Sequence, residues 1–109
     1  MSRPKNKFSK KEMARVDSYG LWPDRFDSLY RTQEGKCAIC HIHVSEDSIN
    51  VDHDHLTGLV RGLLCWSCNV GLGHFKDDPT YLKKAASYLV LSKRKKRVWN
   101  NPKDVKRRH

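Results

Sequence analysis

The chain has 109 residues, of which 38% are apolar and 31% are charged, and its formal net charge is +10. So short and polar a chain has room for one small core and needs a metal, disulfides or a partner to stabilise it. No apolar run approaches the roughly 20 residues of a membrane-spanning helix, and the N-terminus lacks the apolar segment of a secretion signal, so we expect a cytoplasmic protein that makes no membrane contact.

The N-terminal segment, residues 1–20, is predicted to be a basic arm with one short helix. It carries six Lys and Arg residues against two acids, a local net charge of +4. Ser9 and Glu12 have the spacing of a capping box, which places the start of the helix directly after Ser9. Gly20 is expected to end the helix, because glycine readily adopts the left-handed conformation that follows one.

Residues 21–92 form a slightly acidic central region with a local net charge of −2. A second helix is predicted to begin near Pro23, because three apolar side chains follow at i, i+3 and i+4, and to stop at Gly35. Two short runs rich in Val, Ile and Leu, residues 49–53 and 59–64, then predict a β-hairpin with a five-residue loop. The expected fold class is therefore α+β.

A last helix is predicted to begin at Asp78, a capping residue followed by proline at the first helical position. One face of this helix is apolar, and we expect it to pack into the core. The apolar stripe consists of Leu82, Ala85, Ala86 and Leu89.

The C-terminal tail, residues 93–109, carries nine Lys and Arg residues against one acid, a local net charge of +8. A one-signed excess of this size is typical of a segment that contacts nucleic-acid phosphates. A solubilising tail without a partner is the alternative. The cationic cluster at the start of the tail is formed by Lys93, Arg94, Lys95, Lys96 and Arg97.

The four cysteines form two C-x-x-C pairs, Cys37 with Cys40 and Cys65 with Cys68, separated by 24 residues. Two such pairs are a zinc signature, because each turn directs two sulfurs at one point and zinc takes four tetrahedral thiolates. Two disulfides would imply a secreted chain, and a redox motif needs only one pair. We therefore expect a closed, structural zinc site.

The densest chemical stretch runs from Asp52 and His53 to Asp54 and His55, at the end of the first predicted strand. Asn69 follows the last cysteine directly. The Asp52 carboxylate and the Asn69 amide oxygen are ligands that suit a hard ion such as Mg²⁺. A neutral His53 can take a proton from an attacking water. These residue types indicate metal-assisted cleavage of a phosphodiester.

One geometric condition applies to this cluster. Adjacent strand residues point to opposite faces, so Asp52 and His53 can serve one site only if the strand ends or bulges there. The loop that begins at Asp54 is where we expect this to happen. A polar turn beside the zinc site, without further function, is the alternative interpretation.

In combination these motifs resemble the recombination endonuclease VII family, within the wider class of HNH, or ββα-metal, nucleases. The resemblance implies a zinc-stapled β-hairpin plus helix, flanked by other helices, that cuts DNA with a divalent ion. It covers about residues 26–92 and is carried by Cys37-x-x-Cys40, Val51-Asp52-His53-Asp54-His55, Leu59-Val60-Arg61-Gly62-Leu63-Leu64-Cys65 and Cys68-Asn69.

The resemblance also implies roles for individual residues. Asp52 and Asn69 would hold the catalytic Mg²⁺ or Mn²⁺, and His53 would be the general base. His55 would help to hold the scissile phosphate. Arg61 would lie near that phosphate or make a backbone contact with the DNA.

Some features depart from the family pattern. Leu72 stands where some members carry a Glu three residues after the Asn, so that carboxylate is missing. His74 lies off the usual spacing of the third HNH residue and is expected to be an exposed histidine at a helix end. Apart from the family pattern, Trp66 could pack on the core or touch DNA, and packing is the expectation. A basic tail replaces the long dimerisation region of the family's junction-resolving member.

We therefore expect an HNH-type endonuclease, with its nuclease domain at residues 21–92, that acts on double-stranded or branched DNA. One active centre has one general base, so a monomer should nick one strand, whereas a homodimer could cut both. A phage origin would place it in the host cytoplasm with other phage DNA-processing proteins as partners. The alternatives are a non-catalytic zinc module that binds nucleic acid and a zinc module that recruits a protein partner.

Deleting residues 93–109 should weaken DNA binding at least about tenfold and flatten its salt dependence, because several phosphate contacts are lost. The single-turnover cleavage rate at saturating protein should change much less. Fluorescence anisotropy at two salt concentrations and a cleavage time course measure the two effects. A variant that replaces the cations of residues 93–97 by Gln controls for chain length. A collapsed rate with unchanged affinity would contradict the assignment.

Overall fold

The computed structural model describes residues 7–94, which form four helices and one two-stranded antiparallel sheet. The expected α+β class, with a hairpin followed by a helix, is confirmed. The described residues divide into two compact units, of which the first ends at Gly73 and the second begins at His74. In chain order the elements are α1 (Lys10–Tyr19), α2 (Pro23–Thr32), β1 (Asn50–His53), β2 (Val60–Leu64), α3 (Trp66–His74) and α4 (Pro79–Arg94).

Helix α1 begins and ends where the sequence predicts. The Ser9 hydroxyl accepts a hydrogen bond from the Glu12 N–H at 3.0 Å, and the Glu12 carboxylate accepts one from the Ser9 N–H at 2.9 Å. Gly20 adopts a left-handed conformation with φ of 65° and donates to the Val16 carbonyl oxygen at 2.8 Å. The predicted capping box and glycine stop are therefore both present.

The contacts of α1 attach it to the rest of the first unit. Lys11 Nζ donates to the Asp47 carbonyl oxygen, and Arg15 Nη2 donates to the Glu46 carbonyl oxygen at 2.7 Å. The Arg15 guanidinium also lies 3.7 Å from the centre of the Phe26 ring. Helix α1 thus belongs to the same compact unit as the hairpin. The predicted boundary between an N-terminal arm and a nuclease domain at residue 20 stays a prediction.

Helix α2 begins at Pro23 as predicted but ends at Thr32, three residues before the expected glycine. The chain then turns through Gly35, where φ is 68°. A Cβ at this glycine would lie 3.0 Å from both the Tyr30 hydroxyl oxygen and His43 Nε2. Gly35 is therefore required for the close approach of the following loop as well as for the turn.

The predicted hairpin is formed by β1 and β2, and its register contains one irregularity. Asp52 pairs with Gly62 but His53 pairs with Val60, so Arg61 is an extra residue on β2. Such a bulge increases the local twist and redirects side chains. Strand β1 ends at His53, as the sequence analysis required, although the inserted residue lies on the partner strand.

Asp54 organises the hairpin loop. Its Oδ1 accepts hydrogen bonds from the backbone N–H groups of Leu56 at 2.8 Å and Thr57 at 3.2 Å. These bonds lower the pKa of the Asp54 carboxyl below its usual value, because they stabilise the charged form. Gly58, with φ of 76°, completes the return to β2.

The first unit has two small buried clusters. The larger contains residues from the α1–α2 connection, α2 and the hairpin, and the smaller surrounds two of the cysteines. The buried members of the larger cluster are Leu21, Phe26, Ile49, Val51 and Leu63, and those of the smaller are Cys37, Leu64 and Cys65.

The Gln33 side chain extends the sheet beyond β2. Its Oε1 accepts from the Leu63 N–H at 3.0 Å, and its Nε2 donates to the Leu63 carbonyl oxygen at 2.9 Å and to the Lys36 carbonyl oxygen at 2.8 Å. One amide side chain thus satisfies both backbone groups of a fully buried residue. No local sequence signal indicated this role.

Helix α4 lies in the second unit and begins at the predicted position. Asp78 Oδ1 accepts from the Thr80 N–H at 2.8 Å. The expected packing of the apolar stripe is wrong: Leu82 is half-buried, whereas Leu89 is 58% exposed and Ala86 is exposed. Sequence periodicity identifies an apolar face of a helix but not the element that would pack against it. Residues 74–94 contain no second complete helix or strand.

The cationic cluster is described only at its start. Lys93 is exposed near the end of α4, and Arg94 is the last residue of that helix. Lys95, Lys96 and Arg97 lie outside the described residues, so their contact with DNA stays a prediction. Within residues 7–94, no helix has the length and apolar character needed to cross a membrane.

Replacing Gln33 by Leu should destabilise the zinc-loaded protein by about 1–3 kcal/mol, because the buried Leu63 N–H loses its acceptor. The Leu63 carbonyl oxygen keeps its hydrogen bond from the Ala38 N–H. Urea denaturation at fixed zinc concentration measures this change. Gln33→Glu keeps the acceptor for the Leu63 N–H but sets a carboxylate oxygen against the carbonyl oxygens of Leu63 and Lys36, so it should also lower the stability. Equal stability of Gln33→Leu and the wild-type protein would show that water replaces the side chain without cost.

Candidate active site and metal centre

The first C-x-x-C pair lies in a tight turn between α2 and β1. The Cys37 N–H donates to the Ile42 carbonyl oxygen at 2.9 Å, and the His41 N–H donates to the Cys37 carbonyl oxygen at 3.0 Å. The Ile39 N–H points at Cys37 Sγ, 3.4 Å away. The Ala38 N–H donates to the Leu63 carbonyl oxygen at 3.1 Å, which joins this turn to β2.

The second pair connects β2 to α3. Cys65 is buried directly after the last strand residue, and Cys68 is half-buried in the first turn of the helix. The Cys68 N–H points at Cys65 Sγ at 3.4 Å. Each pair therefore directs two sulfurs inward from a turn that backbone N–H groups stabilise.

The four sulfurs converge on one point. The Sγ atoms of Cys37, Cys40, Cys65 and Cys68 all lie within 4.8 Å of one another, and those of Cys40 and Cys65 are 3.7 Å apart. A tetrahedron with zinc–sulfur bonds of about 2.3 Å has sulfurs about 3.8 Å apart. The cluster therefore has the donor atoms and the dimensions of a four-cysteine zinc site.

The acidities of the thiols differ across the cluster. Burial would raise the pKa of Cys37, but hydrogen bonds from three backbone N–H groups outweigh it and lower the pKa to about 6. Burial and hydrogen bonds with the other sulfurs raise the pKa of Cys68 to about 12. One thiolate forms readily and the last requires a compensating cation, as expected for a site that binds a divalent metal.

Asp52 is the buried polar residue of β1, with 8% of its surface exposed. Both of its carboxylate oxygens accept hydrogen bonds from Arg61. The Arg61 Nε atom lies 2.8 Å from Oδ2, and Nη2 lies 2.9 Å from Oδ1. The bulge on β2 therefore directs Arg61 to the carboxylate that the sequence analysis assigned to the metal ion.

His53 is half-buried between two other rings. The centre of its imidazole lies 5.0 Å from that of Tyr19, at the end of α1, and 4.8 Å from that of His55. The structure thus brings His53 and His55 together, with His55 exposed in the hairpin loop. Tyr19 was not singled out by sequence, because no local pattern connects a residue on α1 to the end of β1.

Asn69 lies one residue after the fourth cysteine, in the first half of α3, and is half-buried. Its N–H donates to the Cys65 carbonyl oxygen at 3.0 Å. Among residues 7–94, no hydrogen bond or ring contact joins its side chain to Asp52 or His53. Convergence of these three residues on one ion stays a prediction.

The family model for recombination endonuclease VII matches residues 12–91 of this chain, which is well over half of its length. The chain belongs to the recombination endonuclease VII family. The match includes both cysteine pairs, the Asp-His cluster and most of α1.

Two curated phage proteins are similar to this chain. It is 41% identical over 75 residues to the Gene 59 protein of Mycobacterium phage L5, and 40% identical over 74 residues to the Gene 59 protein of Mycobacterium phage D29. The aligned regions cover 67% and 66% of this chain but only 46% and 45% of the phage proteins. The chain thus spans about half the length of these relatives.

A solved structure also resembles this chain, the ββα-Me type II restriction endonuclease Hpy99I. The TM-score is 0.46 and the sequence identity is 32%, over 71% of this chain and 46% of the other.

The structure locates three residues of α3 for which the sequence raised expectations. Leu72, in place of the Glu that some members carry, packs against the buried cluster that includes Cys37 and Cys65. His74 is exposed at the end of α3. The expected packing of Trp66 is wrong, since 68% of it is exposed at the first position of α3.

Replacing Cys65 by Ser should abolish stoichiometric zinc binding and the cooperative thermal transition, because structural zinc binding contributes about 10–16 kcal/mol in small domains of this kind. Metal analysis and circular dichroism measure the two effects. His41→Asn, which changes an exposed residue beside the first pair, should leave the zinc content unchanged. A Cys65→Ser protein that folds with full zinc would rule out the four-cysteine site.

Proposed function

We propose that the protein is a metal-dependent DNA endonuclease of the HNH type, which hydrolyses phosphodiester bonds and nicks one strand of double-stranded DNA. Membership of the endonuclease VII family supports a nuclease. The four-cysteine cluster supports a bound zinc ion, and because all four positions are occupied by cysteine, its role is structural.

The observation that carries the proposal is the irregularity of the hairpin at Asp52 and His53. β1 ends at His53, and the register shifts between these two residues. Adjacent strand residues otherwise face opposite sides. The end of β1 at His53 supports the proposal, because beyond the strand end the alternation of faces no longer has to hold.

The donor set fits a hard divalent ion such as Mg²⁺ or Mn²⁺, which prefers oxygen ligands. Asp52 would supply a carboxylate oxygen and Asn69 an amide oxygen. A divalent ion bound there would stabilise negative charge on the phosphate and on the leaving oxygen. Leu72 supplies no additional carboxylate, so we assign two protein ligands to the ion.

His53 is the proposed general base. As a neutral imidazole it would accept the proton of the attacking water. The flanking rings of Tyr19 and His55 restrict the orientations that the imidazole can adopt. His55, exposed beside it, would donate a hydrogen bond to the scissile phosphate.

The substrate proposed is double-stranded or branched DNA. Basic residues at both ends of the chain would contact phosphates without reading bases. One set of catalytic residues per chain predicts a nick for a monomer and a double-strand break for a homodimer. The phage relatives suggest other phage DNA-processing proteins as partners.

A second candidate function is a zinc-containing module that binds nucleic acid without cutting it. One observation favours it: Arg61 occupies both oxygens of Asp52, as in a purely structural ion pair. This candidate gives no reason for the half-buried His53 next to that pair.

His53→Ala should lower the cleavage rate by about 100-fold to 10,000-fold while zinc content and folding stay unchanged, because the proton acceptor is lost. Conversion of supercoiled plasmid to open circles with Mg²⁺ or Mn²⁺ measures the rate. Brief EDTA treatment that spares the zinc should stop the reaction.

His43→Ala provides the matched control, since His43 is exposed and lies outside the Asp-His cluster. It should cut at the wild-type rate. Cleavage by His53→Ala at the wild-type rate would exclude His53 as the base. DNA binding without cleavage under any metal by the wild-type protein would favour the non-catalytic module.

A further inference from the structure

Arg61 and Asp52 form an asymmetric ion pair. The Asp52 side chain is 11% exposed, whereas the Arg61 side chain is 37% exposed. The carboxylate is thus largely removed from solvent, whereas more than a third of its cationic partner is exposed. Both N–H···O distances, 2.8 and 2.9 Å, are those of a two-point, charge-assisted contact.

The ion pair compensates the negative charge of the buried Asp52 carboxylate. A carboxylate removed from water is costly unless a cation and hydrogen bonds compensate it. Arg61 supplies both the cation and the hydrogen bonds, so the negative charge of Asp52 is balanced before any divalent ion binds. The attraction that Asp52 exerts on a free divalent ion is correspondingly weak, because the ion meets a carboxylate already paired with a cation.

Part of the Arg61 side chain is also accessible from solution, since 37% of it is exposed. Guanidinium groups bind phosphate oxygens in the same two-point manner as carboxylates. A phosphate that takes the Nε and Nη2 donors of Arg61 competes with Asp52 for them. When the phosphate wins, the carboxylate loses its counter-charge and its affinity for another cation rises.

We infer that Arg61 couples DNA binding to metal binding: it neutralises Asp52 in the free protein and turns to a DNA phosphate in the complex, which leaves Asp52 to hold the divalent ion. This inference rests on the proposed function of Asp52 as a metal ligand. Arg61 is a positioning residue in this scheme, because it acts on the ion through Asp52.

Coupling of this kind is reciprocal. If DNA raises the affinity for the ion by some factor, the ion raises the affinity for DNA by the same factor. This coupling would keep the affinity of Asp52 for the divalent ion low in the absence of DNA. The ion would then bind, and the protein would become able to cleave, only once DNA is bound.

The test uses the zinc-loaded His53→Ala protein, so that DNA stays intact. Mn²⁺ is titrated into it with and without a short DNA duplex, and free Mn²⁺ is followed by electron paramagnetic resonance. The duplex alone is titrated to correct for its own ions. We expect at least about tenfold tighter Mn²⁺ binding with DNA present.

Adding Arg61→Met to this protein should tighten Mn²⁺ binding in the absence of DNA and reduce the effect of DNA to less than about threefold. Arg61→Lys keeps the charge but not the two-point contact, and its coupling should be intermediate. Mn²⁺ should also raise the melting temperature of the Arg61→Met protein more than that of its parent. This shift reports on the same site if the variant is unstable without metal.

Two outcomes would overturn the inference: equal Mn²⁺ affinity of the parent with and without DNA, or unchanged coupling in Arg61→Met. Asp52→Asn distinguishes a failure of the proposed function. If Mn²⁺ binding persists unchanged in that variant, Asp52 is not a ligand and the metal assignment itself is wrong.

Discussion

The convergence of four sulfurs within 4.8 Å of one another is the constraint on which the first unit depends. The larger buried cluster has only five members, and an isolated two-stranded hairpin is marginal in water. The cysteine pairs connect three places that the core alone would not hold together: the turn after α2, the end of β2 and the start of α3. A metal ion bound at this point would stabilise the hairpin, since its binding free energy would become folding free energy.

The hairpin is completed by side chains rather than by further strands. Gln33 supplies hydrogen bonds that a neighbouring strand would give to Leu63. Arg61 supplies the hydrogen bonds that water would give to Asp52, and a counter-charge in addition. Each of these arrangements needs one side chain and no additional strand, which suits a short chain. In both cases one side chain provides hydrogen bonds to polar groups that are costly to leave unpaired in the interior.

Much of the fold was predictable because its signals are local. The capping box at Ser9, the proline at position 23 and the two cysteine pairs each act over a few residues, and all are present in the structure. The pairing of Arg61 with Asp52 was not predictable, because it depends on one inserted residue in β2 that no spacing rule fixes. The exposure of Leu89 was missed for a related reason: an apolar face is a property of the helix, whereas its burial is a property of the surroundings.

The contact between Tyr19 and His53 connects α1 with the candidate site. Helix α1 has ten residues, too few to be stable alone. It is held by exposed hydrogen bonds from Lys11 and Arg15 to carbonyl groups of the turn before β1. Such a segment opens locally at a smaller free-energy cost than the core. Because Tyr19 is the last residue of α1, local opening of this helix would remove the ring that packs against the half-buried His53 imidazole.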